Sequence, residues 1–197
     1  MVEKTYVASH NAGKIRELKA ILAGGLQLTV PRKFADVAED ADSYLGNALL
    51  KAQALAETLR RRGTPANVLA DDSGLEVDAL GGRPGIYSAR YAGADADWPQ
   101  RRAALLAELR GVPPFLRTAR FVCALVLLAP GAEAVTAVGE VSGFVLEAEV
   151  GANGFGYDPI FFYPPAGSSF AVLGEKEKNA VSHRRRAADN LLAALRG

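Results

Sequence analysis

Residues 5–23 read TYVASHNAGKIRELKAILA, and this stretch decides the fold class. Thr5 to Ser9 is short and apolar, which predicts a strand. His10-Asn11-Ala12-Gly13 makes a loop. From Lys14 to Ala23, Ile15, Leu18, Ile21 and Leu22 recur at helical spacing, and Gly24-Gly25 stops the run. A strand, a tight loop and a helix in so short a span open an α/β chain.

The rest of the chain continues the pattern. Leu45, Ala48, Leu49, Ala52, Leu55, Ala56 and Leu59 line one face of a helix that Asp42 or Ser43 can cap and Gly63 can end. Val68 to Ala70 predicts a short buried strand that stops at the turn-formers Asp71-Asp72-Ser73-Gly74, and Leu75 to Leu80 predicts another. Pro99 to Arg110 reads as a helix, with proline in its first turn and Gly111 after its last. Ala119 to Leu128 and Ala134 to Glu147 read as a hairpin, and Ser182 caps a last helix to Arg196. Helices alternating with strands, plus one hairpin, predict an α/β fold with a mixed sheet.

The 197 residues are 49% hydrophobic and 23% charged, which suits one domain or a domain of two lobes with a real core. Lys and Arg total 23 against 22 Asp and Glu, a net charge of +1. That balance gives no global attraction to nucleic acid or anionic membrane, so an anion must be bound by local cations. Cys123 is the one cysteine, which excludes an internal disulfide, and its apolar surroundings from Phe121 to Leu128 predict a core side chain. The start MVEKTYVASH lacks the apolar stretch of a secretion signal, and no run of about 18 apolar residues occurs. A reduced, cytoplasmic setting and no membrane contact are the expectation.

Two helices begin with positive charge, where the peptide dipoles already place about half a positive unit. Lys14 sits in the first turn of one, and His183, Arg184, Arg185 and Arg186 follow the cap Ser182 of the other. A bound phosphate explains them, and so does a basic turn that tolerates its position. Gly13-Lys14 is not a Walker A end, because Ile15 stands where Ser or Thr is needed. Residues 151–156, GANGFG, do not give the dinucleotide-binding glycine pattern.

Carboxylates fall in two segments. Glu39, Asp40 and Asp42 precede the long helix, and Asp71-Asp72 end a strand. Side chains alternate along a strand, so one of the pair faces any one side. Mg²⁺ takes hard oxygen ligands and is often held by one or two carboxylates plus substrate phosphates. A solvated acidic loop and a turn account for the same residues. Gly154-Phe155-Gly156-Tyr157-Asp158-Pro159 places aromatics and a carboxylate among small residues. It reads as a stacking platform for a base or as a turn before the buried strand Ile160-Phe161-Phe162.

Together these segments resemble one family, the inosine-triphosphate pyrophosphatases, which act on dITP, ITP and XTP. SHNAGK (Ser9 to Lys14) resembles its phosphate loop. Glu39, Ser43-Tyr44, Asn47-Ala48 and Lys51-Ala52 resemble its acidic loop and second helix, and residues 70–93, ADDSGLEVDALGGRPGIYSARYAG, come close to a signature. NGFGYDPIF (Asn153 to Phe161) and EKNAVSHRRRA (Glu177 to Ala187) resemble the remaining motifs. Val172 departs from the pattern, standing where the family usually has an acid.

The resemblance implies an elongated mixed β-sheet flanked by helices. It implies one domain over residues 1–197, with two lobes and an active-site cleft between them, and a homodimer. Ser9, His10, Asn11, Ala12, Gly13 and Lys14 would hold the triphosphate. Glu39 and Asp72 would ligate Mg²⁺, and Asp72 would accept a proton from the attacking water. Ser73 would contact substrate, Phe155, Gly156, Tyr157 and Asp158 would serve the base or sugar, and Lys178, His183 and Arg184 would contact the nucleotide. The implied reaction releases pyrophosphate and a nucleoside monophosphate. A pyrophosphatase for other modified nucleotides, or a nucleotide- or RNA-binding module, is the alternative. Arg83 and Arg90 receive no role.

Overall fold

The structure, a computed structural model, describes residues 4–31, 34 and 37–196. Its strands form one mixed seven-stranded sheet in the order β2-β1-β3-β4-β5-β6-β7. These are β1 (Lys4–Ala8), β2 (Gln27–Thr29), β3 (Asn67–Val77), β4 (Thr118–Leu128), β5 (Val135–Val145), β6 (Phe161–Tyr163) and β7 (Ser168–Ser169). β1 runs parallel to β2 and β3, whereas β6 is antiparallel to β5 and β7. The helices are α1 (Ala12–Leu22), α2 (Tyr44–Arg61), α3 (Trp98–Glu108), α4 (Glu175–Val181) and α5 (His183–Ala194). Among the described residues no helix is long and apolar enough to cross a membrane.

The chain divides into two compact units. The first comprises Met1–Asp72, Cys123–Gly139 and His183–Gly197. Its strands alternate between two apolar layers. Val7, Leu69 and Leu125 pack with Leu18 and Leu22 of α1 and with Ala187, Ala188 and Leu191 of α5. Their strand neighbours Ala8, Val68, Ala70 and Val126 pack with Ala48, Ala52, Leu55 and Leu59 of α2. The alternation of strand side chains thus puts α1 and α5 on one face and α2 on the other. Each fully buried leucine here stabilises the fold by about 1.5–3 kcal/mol.

The second unit comprises Ser73–Val122 and Glu140–Ser182. Leu75, Val77, Leu105, Leu109, Val141 and Ile160 form its core with the rings of Phe121, Phe161 and Phe170. Phe121 and Phe161 meet at 4.6 Å between centroids. α3 starts on a capping box, with Asp97 accepting from the Gln100 N–H and Gln100 accepting from the Asp97 N–H, both at 2.9 Å.

Several expectations are corrected. No turn breaks the chain at Asp71-Asp72-Ser73-Gly74; β3 runs straight through to Val77, and residues 78–80 are a 3₁₀ turn rather than strand. The turn tendency of those residues yields because each carboxylate finds cations, and sheet pairing takes the backbone. β2, β7 and α4 were not anticipated, being too short to show a period. α1 begins two residues before Lys14, with Asn11 as its cap, and α2 is capped by Ser43. Cys123 is in the core as expected.

Candidate active site

β3 supplies the first part of the site in the first unit. Asp71 points to the α1 and α5 face, and Asp72 to the α2 face. Asp71 Oδ1 lies 2.5 Å from Lys14 Nζ, and Oδ2 accepts from Arg184 Nε at 3.3 Å and from the Cys123 thiol at 3.0 Å. Arg184 also donates to Glu17 at 2.8 Å. Burial works to raise the Asp71 pKa, but Lys14 and Arg184 outweigh it and hold this carboxyl well below the usual range. Burial and the neighbouring Asp71 charge push the Cys123 thiol up, so it stays a proton donor.

The loop before α1 has a local cause. Asn11 N–H donates to Ser9 Oγ at 3.2 Å, and Lys14 N–H donates to Asn11 Oδ1 at 3.1 Å. The two short polar side chains thereby wind the chain into the helix, whose first residues are Ala12 and Gly13. His10 stacks on Phe34 at 4.0 Å between centroids. The cations at the two helix starts thus have anions within the fold: Asp71 for Lys14, and Asp71 with Glu17 for Arg184. This answers part of the charge that the sequence left for a phosphate. His183 is buried at the start of α5.

Asp72 has a different set of neighbours. Lys51 Nζ bridges Asp72 Oδ1 at 3.0 Å and Glu39 Oε1 at 2.9 Å. Asn47 donates to Asp72 Oδ2 at 3.3 Å and accepts from the Ala41 N–H at 3.0 Å, tying the acidic loop to the strand. Burial raises the Asp72 pKa, Lys51 and Lys14 offset this in part, and the net shift is upward. For Lys51, burial is outweighed by the charges of Asp72, Glu39 and Asp71, so its ammonium is reinforced. Sequence reasoning gave neither Asn47 nor Lys51 a role. The available signal was two polar residues four apart on α2, beside the apolar Ala48 and Ala52. A polar side chain as buried as Asn47, at 0% exposure, needs such partners.

Glu39 and Asp72 therefore converge on one cation position with hard oxygens. Among the described residues no three carboxylate, imidazole or thiol side chains gather to form a complete metal cage. The donor set fits Mg²⁺, which commonly keeps one or two protein carboxylates and completes its shell with water and substrate phosphate.

The second unit holds the aromatic segment. Gly154 (φ +73°) and Gly156 (φ +65°) take left-handed backbone that other residues rarely adopt, and a Cβ on Gly154 would run into the Asp158 carboxylate. Asp158 accepts from the Phe155 N–H at 2.7 Å and from Lys178 Nζ, closing the turn. Lys178 also lies 4.8 Å from the centre of the half-buried Phe155 ring. Tyr157 is not a surface platform. It is buried in the core, donates to the Ser88 carbonyl at 3.1 Å and meets Trp98 edge-on. The segment is a turn, and it leaves one ring, Phe155, half-buried. Ser73 is half-buried on β3.

The residues without roles are accounted for locally. Arg83 pairs with Glu108 at 2.7 Å, and Arg90 lies 4.9 Å over Tyr87. Val172 is half-exposed on the surface, and Glu177 accepts from the Gly174 N–H at 2.8 Å at the start of α4.

A model described as the Ham1 family matches residues 5–194. The chain belongs to the Ham1 family. Among curated relatives, the dITP/XTP pyrophosphatase of Geobacillus kaustophilus is 45% identical over 96% of this chain and 93% of its own. That of Geobacter sulfurreducens is 48% identical over 92% and 90%. Among solved structures, the Ham1 protein of Staphylococcus aureus superposes with a TM-score of 0.84 at 39% identity, covering 99% of each chain. The α/β fold and the motif resemblance are thereby both met from outside the chain.

Proposed function

We propose that this chain hydrolyses non-canonical purine nucleoside triphosphates (dITP, ITP and XTP) to the monophosphate and pyrophosphate, clearing deaminated purines from the nucleotide pool. The observation that carries this reading is geometric: Glu39 and the buried Asp72 come from separate segments and set their oxygens 2.9 Å and 3.0 Å from a single cation position. A carboxylate held at such a position is placed to take a proton from the attacking water. The names of the Ham1 relatives support the same activity.

In this reading Glu39 and Asp72 hold Mg²⁺. When bound, the ion neutralises and polarises phosphate oxygens. Asp72 takes a proton from water as it attacks the α-phosphorus in line. Pyrophosphate leaves with its charge met by Lys14, and the loop Ser9 to Gly13 holds the phosphates with backbone N–H groups. Ser73, His183 and Arg184 contact the nucleotide. Phe155, Gly156, Tyr157 and Asp158 serve the base and sugar, Phe155 by its half-buried ring and Tyr157 by supporting the turn from the core. Lys178 carries donors only. A 6-keto oxygen can accept from it, whereas a 6-amino group cannot, which sets dITP above dATP.

The reading takes the whole chain as one functional domain acting in the cytoplasm as a homodimer on a small-molecule substrate. Incubation with dITP and Mg²⁺ tests it through the products. Pyrophosphate and dIMP are expected; inorganic phosphate and dIDP would exclude it. Equal turnover of dITP and dATP would remove the role given to Lys178, and light scattering tests the dimer.

A further inference from the structure

Glu39 and Asp72 come from separate segments and reach the same point, and the point is filled by a side chain of this protein. Lys51 Nζ lies 2.9 Å from one carboxylate and 3.0 Å from the other. Its side chain is only 13% exposed, so this is not a loose surface pair. Without a cation the two carboxylates would repel, and their arrangement would relax. A divalent ion bound by the same oxygens must work against the ammonium, because like charges a few ångströms apart repel strongly in a poorly solvated site. Lysine suits a charge that moves. It is a compact ion on a flexible four-carbon stem, free of the fixed fork of arginine. A polyphosphate arriving with the metal gives that ammonium a new anion.

We infer that Lys51 is a resident counter-cation that keeps Glu39 and Asp72 together, and that the protein takes up Mg²⁺ as a metal–triphosphate complex and disfavours the bare ion. The inference rests on the reading of Glu39 and Asp72 as metal ligands. It makes Lys51 a positioning residue for the site and a selector of the form in which the metal enters. Asn47 holds Asp72 from the other oxygen, so the carboxylate stays in place when the lysine leaves it.

Calorimetric titration tests this with two probes, Mg²⁺ alone and Mg²⁺ with inorganic tripolyphosphate, on the wild-type chain and on Lys51→Met, Lys51→Arg and Glu39→Gln. Lys51→Met binds bare Mg²⁺ at least about tenfold more tightly than wild type, because the competing charge is gone. It binds the tripolyphosphate complex more weakly. Lys51→Arg keeps the wild-type weakness for bare Mg²⁺. Melting gives a second readout: metal-free Lys51→Met melts below wild type and gains more from added Mg²⁺. Should Lys51→Met not fold, Lys51→Gln takes its place in both measurements. Equal or weaker binding of bare Mg²⁺ by Lys51→Met, or by Lys51→Gln in its place, overturns the counter-cation role while leaving the ligands intact. Unchanged uptake of the complex by Glu39→Gln overturns the ligand reading itself, and the inference with it.

Discussion

Asp71 and Asp72 are chain neighbours on β3, and they face two different worlds. On the α1 and α5 side, Asp71 is enclosed by Lys14, Arg184 and the Cys123 thiol, and its pKa is driven down. On the α2 side, Asp72 meets one shared lysine and an amide, and its pKa is driven up. The sheet makes this possible, because alternation sends adjacent side chains to opposite layers. Burial is common to both; at Asp71 the charges of Lys14 and Arg184 outweigh it, and at Asp72 those of Lys51 and Lys14 do not. A carboxylate saturated with fixed partners holds the fold; one that shares a lysine with a second carboxylate at a cation position can do chemistry.

The comparison breaks if the two neutralising substitutions behave alike. Asp72→Asn should cut turnover of dITP by about 10²–10⁴-fold, the usual worth of a positioned base. Its melting temperature should stay near or above wild type, since the lost charge was already disfavoured by burial. Asp71→Asn should do the reverse. Leaving Lys14 and Arg184 without their buried anion costs about 3–5 kcal/mol in stability, read by chemical denaturation. A stable Asp71→Asn protein, or an unstable Asp72→Asn one, would reverse the assignment.

Acid sharpens the contrast. A carboxyl whose folded pKa is depressed stabilises the fold above its unfolded pKa of about 4, and that stability is lost as pH falls below it. Asp71 is such a group. Asp72, with its pKa raised, has the opposite sign: the folded form holds its proton longer, so stability declines as pH rises through its pKa. The loss of melting temperature between pH 7 and about pH 3 should therefore be smaller in Asp71→Asn than in wild type. The Asp72→Asn variant should show the larger loss. The smallest effect belongs to Cys123→Ala. It removes one donor from Asp71 and should cost about 1 kcal/mol, with little change in turnover.

Much of the candidate chemistry in each unit was legible in the chain because it is written in local motifs. SHNAGK, the Asp71-Asp72 pair and GFGYDP each carry their own turn, cap or strand signals. What could not be read locally was partnership. Lys14 looked like a cation waiting for phosphate, yet Asp71, far along the chain, meets it. Tyr157 looked like a platform beside Phe155, yet the turn at Gly154 and Gly156 directs it into the core. The break expected at Asp71 to Gly74 vanished because neighbouring strands and cations override a turn preference.

By itself, the sequence determined that this is an α/β chain with two acidic segments, two basic helix starts and a glycine-bracketed aromatic turn. Those are matters of period and of short-range backbone preference, which a chain carries wherever it folds. Only the tertiary structure decided which charges meet: that Lys51 joins Glu39 to Asp72, and that Asp71 is spent on Lys14 and Arg184. Electrostatic energy depends on distance and on exclusion of water. Neither quantity exists until residues remote in the chain are brought within about three ångströms of each other and buried.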